Sequence, residues 1–222
     1  LMEPDPLPGL AEENTKRVEK LKETKLFVVI GNPPYNIGQI NENDNNKNRK
    51  YKTLDQLVAS TYAKDSEATN KNKLSDPYVK AFKWASEKIR EKGEGIVAFI
   101  SNNSFIDSLA MDGMRKHLAK DFDKIYVIDL KGNIRKDSMK DGIPLGEKHT
   151  IFGMSAMVGI AITFLVKKKS SEEKGIYYAD VDFRSTRREK FHFLEKNENA
   201  TKTEFRELKP NNKNSWLTSE LE

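Results

Sequence analysis

Four residues constrain this chain more than any others: Asn32-Pro33-Pro34-Tyr35, set directly behind the apolar run Leu26-Phe27-Val28-Val29-Ile30-Gly31. A short β-type run closed by glycine and a double proline predicts a strand that stops at a rigid loop. The two rings fix φ and remove two N–H donors, so nearby carbonyls have no ladder to join and point to solvent or a ligand. Asn32 adds an amide oxygen and an amide donor, and Tyr35 adds an aromatic face. Rigid acceptors beside a ring can hold a planar base and polarise its exocyclic amine. The plain alternative is a proline-stiffened turn with Tyr35 packed in the core.

The rest of the chain reads as alternating helices and strands. A charged helix is predicted over 10–23, after an irregular lead-in, and the first strand over 26–30. Residues 36–50 and 64–73 are polar and predict loops, with a short helical stretch at 54–59 between them. Asp76-Pro77 opens a helix, the acid as N-cap and the proline at the first helical position. Its apolar face is Tyr78, Phe82, Ala85 and Ile89, and it ends near Gly93. Strands follow at 95–100, 124–130, 157–166 and 176–181, with helices at 111–120 and 185–197. The run at 95–100 is apolar throughout, as in a parallel-sheet strand buried on both faces. A long polar loop is expected over 131–150, and the last 25 residues look irregular. This alternation predicts a doubly wound α/β sheet, whose ligands bind at the carboxyl ends of the strands. Asn32–Tyr35, Asn102–Ser104 and Gly132–Arg135 each lie just past a strand end, so one site built from three loops is expected.

Asn-Pro-Pro-Tyr after an apolar strand resembles motif IV of S-adenosylmethionine-dependent amino methyltransferases, above all the DNA adenine-N6 enzymes. Asp129-Leu130-Lys131-Gly132-Asn133-Ile134-Arg135, then Ile151-Phe152 and Val158-Gly159-Ile160-Ala161-Ile162, resemble the later blocks of one group. That group is the methyltransferase region of single-chain type ISP restriction–modification enzymes, fused there to a nuclease and a helicase motor. The resemblance implies a Rossmann-like methyltransferase sheet, S-adenosylmethionine as cofactor and double-stranded DNA as partner. It implies that Asn32 and Pro33 hold the target amine, that Pro34 keeps the loop rigid, and that Tyr35 stacks on a flipped base. Phe152 is the candidate second wall, with a core position as the alternative. Tyr78 and Phe82 lie where cofactor contacts are expected, at a spacing that also suits a helix core. Asn102 and Asn103 are helix caps or base contacts. Arg115, Lys116, Lys131 and Arg135 are candidate phosphate contacts, or simply solvated charges.

Composition narrows the partners. A formal net charge of +5 favours a polyanion, although a bias toward Lys and Asn gives the same number. There is no cysteine, and three scattered histidines make no metal site, so neither disulfide, thiolate chemistry nor zinc is expected. No run of membrane-spanning length and no signal peptide is evident, which points to the cytoplasm. The 31 residues before Asn32 contain no glycine-rich strand–turn–helix for the cofactor. The sheet is therefore expected to be incomplete, its cofactor-binding half supplied by an upstream part of the same polypeptide. The divisions expected are a lead-in over 1–25, the second half of a methyltransferase domain over 26–170, and a connecting region over 171–222 toward a target-recognition domain. Within this reading the isolated chain is inactive. Asn-Pro-Pro-Tyr also marks enzymes that methylate a protein glutamine or an RNA base, and a non-catalytic DNA-binding fragment is a third possibility. The Asp129–Arg135 and Ile151–Ile162 blocks favour the DNA family.

Overall fold

Gly95 sets the first long-range contact of the fold. Its φ of +146° and missing side chain let the backbone approach Phe27, whose carbonyl accepts from Ile96 N at 2.7 Å. A Cβ there would strike the Phe27 carbonyl and come within 2.8 Å of Ile89 Cδ1. From this point β2 (Gly95–Asn102) runs parallel to β1 (Val28–Gly31). The computed structural model describes residues 10–23, 27–34, 51–133, 139–140, 143–144, 150–153, 158–170 and 173–217. The loop expected over 36–50 lies outside them.

The other strands of the main sheet are β3 (Lys124–Asp129), β6 (Ile160–Lys167), β7 (Gly175–Asp180) and β8 (Arg206–Leu208), in the order β1-β2-β6-β3-β7-β8. The fold is α/β as expected, but the sheet is mixed. β6 runs antiparallel between β2 and β3, while β3 and β7 are parallel. Hydrogen bonding between β2 and its two neighbours uses both edges, yet burial alternates along it, so it is not the uniformly buried strand that its composition suggests. A two-stranded ribbon, β4 (Met139–Lys140) with β5 (Ile143–Pro144), forms inside the stretch expected to be loop.

Helix α1 covers Leu10–Glu23, α2 Lys52–Val58, α3 Pro77–Lys92, α4 Asp112–Asp121 and α5 Arg187–Asn197. The α2 segment passes into a π-helical turn, Ala59–Ala63, beyond the short stretch read from the sequence. In α3 the Asp76 carboxylate accepts from Tyr78 N at 3.3 Å, and Gly93, at φ +88°, closes the last turn. Thr186 and Glu189 form a reciprocal capping box on α5.

The pleat splits the core in two. Val97, Phe99, Ile125, Val127, Ala161, Leu165 and Tyr178 face the side covered by α3 and α4. Ile128, Leu130, Ile160 and Val181 pack on the opposite side, with Phe193 and Leu194 of α5 against them. The closing residues are less irregular than their composition predicts. β8 joins the sheet beside β7, and Trp216, 1% exposed, meets Phe105 edge-on at 6.0 Å. No helix among the described residues is long and apolar enough to cross a membrane.

Candidate active site at the strand ends

β1, β2, β3 and β7 all point their carboxyl ends to one rim, and the amino end of the antiparallel β6 arrives there too. Asn32, Pro33 and Pro34 leave β1 at this rim. Pro33 is buried while Asn32 and Pro34 are exposed, so the buried ring anchors a turn that presents the amide outward. The ladder ends at the pairing of Gly31 with Phe99, as two residues without N–H groups require. Tyr35 lies outside the described residues, as does Arg135.

Beside this turn, Asn102 is a cap: its Oδ1 accepts from Ser104 N at 2.8 Å. Asn103 behaves differently. Its backbone N–H donates to Gly159 O at 2.9 Å and its Nδ2 donates to Asp129 Oδ1 at 2.8 Å. Gly159 makes room for this contact, because a Cβ would overlap the Asn103 amide as it stands. Leu130 N donates to Ile160 O at 2.9 Å and Ile160 N to Lys131 O at 3.1 Å. The ends of β2, β3 and β6 are thus stitched into one surface.

A charge network underlies that surface. Asp129, 3% exposed, also accepts from Lys131 N at 2.9 Å and Lys131 Nζ at 2.8 Å. The Tyr178 hydroxyl lies 2.8 Å from Asp129 Oδ2 and 3.3 Å from Asp180 Oδ2, and accepts from Lys131 Nζ at 2.8 Å. Lys131 Nζ is also 3.1 Å from Asp180 Oδ2, and Arg206 lies 3.5 Å from the other Asp180 oxygen. Burial pulls the Lys131 pKa down, but Asp129 and Asp180 more than offset it and leave it above the ordinary lysine value. Burial, followed by the charges of Asp129 and Asp180, pushes the Tyr178 phenol up, so it stays protonated. Lys131 adopts φ +53° and Gly132 φ +99°, a tight reversal that folds the lysine back onto Asp129.

Several expected site residues have other work. Lys131, expected to meet phosphate, is held within the network: its side chain is 18% exposed and its ammonium is engaged by two carboxylates. Arg115, also expected to meet phosphate, is turned inward. It is 1% exposed, donating to Phe105 O at 2.9 Å, Ser108 O at 2.8 Å and Asn214 O at 2.6 Å. Phe82, expected as a cofactor contact, is fully buried in the core among Tyr78, Phe99 and Phe105. Tyr78 is equally buried, its hydroxyl 3.2 Å from Ser104 Oγ, and burial raises its pKa. Lys116 remains half-exposed, 3.3 Å from Asp65 Oδ2. Phe152 is 39% exposed, next to Ile151, which is buried in the second core cluster. Tyr178, and Asp180 through the shared Lys131, are partners of Asp129 that are not among the residues expected from the sequence. The available signal was a repeated pattern, since Lys124–Asp129 and Gly175–Asp180 are both apolar strands closed by aspartate.

A family model described as Eco57I restriction-modification methylase matches residues 9–134, more than half of the chain. Among solved structures the chain is similar to DrdV in a DrdV–DNA complex, with 39% identity and a TM-score of 0.80 over 92% of this chain and 19% of that one. It is similar to a nuclease-deletion mutant of the type ISP restriction-modification enzyme LlaGI in complex with a DNA substrate mimic. There the identity is 35% and the TM-score 0.83, over 93% of this chain and 19% of that one. The ATP-dependent type ISP enzyme LlaBIII bound to DNA gives 35% identity and a TM-score of 0.84, over 97% of this chain and 14% of that one. The chain therefore spans a fifth or less of the length of these relatives. No curated protein gives a significant match.

Proposed function

Because this chain belongs to the Eco57I restriction-modification methylase family, we propose that it is the base-binding and catalytic half of a DNA methyltransferase. The reaction proposed is methyl transfer from S-adenosylmethionine to the N6 amine of an adenine flipped out of duplex DNA, within a restriction–modification enzyme of the cytoplasm. The observation that carries this reading is the position of Asn32: exposed, one residue past β1, beside the buried Pro33, on the rim shared by β2, β3 and β7.

An exocyclic adenine amine is a poor nucleophile because its lone pair is delocalised into the ring. No strong base is needed, since the proton can leave after the new bond forms. What helps is a pair of acceptors that hold both amine hydrogens and favour a more tetrahedral nitrogen at attack distance. Asn32 Oδ1 and the Pro33 carbonyl take those roles. Tyr35 stacks on the extruded base and Phe152 closes the opposite side, replacing stacking lost from the duplex. The Asp129–Arg135 and Ile151–Ile162 blocks support DNA adenine as substrate over a glutamine amide or RNA.

S-adenosylmethionine supplies the electrophilic methyl group. Tyr78 and Phe82, expected as its contacts, are both buried in the core. The cofactor pocket is assigned instead to an upstream part of the polypeptide, seated at the β1 edge of the sheet. Support comes from apolar side chains exposed on one face at this end of the sheet: Val28 at 52% and Ile30 at 79% on β1, with Ile96 at 38%, the partner of Val28 on β2. In the full-length polypeptide, Asn32→Ala is expected to slow single-turnover methylation by about 10²–10³-fold, the scale for losing one transition-state acceptor or donor. DNA affinity should stay nearly unchanged. A near-normal single-turnover rate would remove Asn32 from the mechanism.

A further inference from the structure

Of the four cations that the sequence puts forward for phosphate, Arg115 and Lys131 are used inside the fold. Three arginines outside that set are not. Arg184, Arg187 and Arg188 are exposed, in the turn after β7 and the first turn of α5. β7 runs parallel to β1 within the sheet order, so this turn leaves the same rim as Asn32. The two ends of that rim are four strand spacings apart, or roughly 19 Å at about 4.8 Å per strand.

Aromatic rings hold two of the guanidinium groups. Arg184 lies over Phe183 at 5.1 Å and Arg187 over Phe191 at 5.5 Å, and Phe191 is itself 42% exposed. A guanidinium over a ring has one face covered while its N–H edges stay available to an anion. Asp182 approaches Arg184 Nε only to 3.5 Å, with 73% of the arginine side chain exposed. The Glu189 carboxylate accepts from Thr186 N at 2.7 Å and Thr186 Oγ1 at 2.8 Å, as the second member of the capping box of α5. Arg187 also flanks the turn that carries Phe152: a Cβ on Gly153 would stand 3.8 Å from Arg187 Nη1.

Helix stability does not account for this arrangement. Cations in a first turn oppose the helix dipole, whereas acidic residues there would support it. The position of Arg187 and Arg188 is explained if an anion approaches the rim from outside.

We propose that Arg184, Arg187 and Arg188 grip the phosphate backbone of the duplex that carries the target base. The proposal rests on the DNA-methyltransferase reading and adds a second point of contact to it. Per strand, B-DNA advances about 3.4 Å per phosphate, so roughly 19 Å corresponds to five or six base pairs from the extruded base. Such contacts fix register and affinity and carry no sequence information.

The test uses the full-length polypeptide and a duplex of about 40 base pairs containing its own methylation sequence, mapped beforehand from the bases it modifies. DNA affinity is measured against KCl concentration for wild type, for Arg184→Gln/Arg187→Gln/Arg188→Gln, and for the corresponding triple lysine variant. Each lost phosphate contact should make the slope of log K against log salt shallower by about 0.9, so the glutamine variant should lose about 2–3 in slope. The lysine variant should keep most of the slope. If the triple glutamine variant does not fold, Arg184→Gln, in the turn before α5, should lose about 0.9 in slope by the same rule. A glutamine variant with wild-type slope overturns the proposal, and so does a slope lost equally by the lysine variant. A wild-type polypeptide that methylates no DNA is a separate result, which removes the underlying reading instead.

Discussion

Gly159 offers a quantitative probe of the surface beside Asn32. Alanine there places a methyl group against the Asn103 amide, 2.5 Å from its Cγ and nearer still to Oδ1 and Nδ2. Gly159 is not among the positive-φ glycines, so its backbone accepts alanine, and the smaller entropy of the unfolded chain gives back about 0.4–1 kcal/mol. The overlap is relieved only if Asn103 swings away and gives up its 2.8 Å bond to Asp129. A hydrogen bond to a charged group contributes about 1.5–3 kcal/mol, so the net loss should be about 1–2 kcal/mol. Asn103→Ala removes the same bond and makes room for the new methyl. The double variant should therefore be little worse than Asn103→Ala alone, a coupling of about 1–2 kcal/mol in the cycle. Urea unfolding followed by the fluorescence of buried Trp216 reads all four species, provided that the denaturant slope stays constant. Single-variant costs that add to within about 0.5 kcal/mol would show that Gly159 and Asn103 do not press on each other.

Trp216→Ala should cost about 3–5 kcal/mol, since the ring is 1% exposed against Phe105. Trp216→Phe should cost less, because the buried indole N–H has no hydrogen-bond partner; thermal unfolding compares the two, and equal losses would contradict the packing argument. The raised Lys131 pKa fixes the sign of a pH effect. Its stabilisation is complete below the unfolded lysine value near pH 10.4 and is lost as pH rises through the higher folded value. Lys131→Met should thus be less stable than wild type by about 3–5 kcal/mol, a gap that is constant from pH 7 to 9 and shrinks only above pH ~10.4. Narrowing between pH 7 and 9 in urea titrations would contradict the assigned network.

Local signals were read well from the sequence. Asp76 and Pro77 start α3, Gly93 ends it, and Pro33-Pro34 stops β1, because caps and rings act within a few residues. Strand neighbours were less legible. Nothing in the apolar run Ile160–Lys167 says that it inserts antiparallel between β2 and β3, since both faces of a central strand want the same residue types. Charge was legible but its destination was not. Arg115 and Lys131 look like their surface counterparts until the carbonyls of Phe105, Ser108 and Asn214, or the carboxylates of Asp129 and Asp180, are brought to them by chain segments far away in sequence. Trp216 stands in a polar tail with no periodicity, so its place in the core had no local signature.

The central claim concerns which amine receives the methyl group. The direct measurement incubates the full-length polypeptide with methyl-labelled S-adenosylmethionine and, in parallel, with duplex DNA, RNA or a protein extract, followed by digestion to nucleosides or amino acids. The account expects label in DNA alone, recovered as N6-methyladenine, and falling steeply with salt as phosphate contacts weaken. Label on cytosine, on RNA or on a glutamine side chain would contradict it.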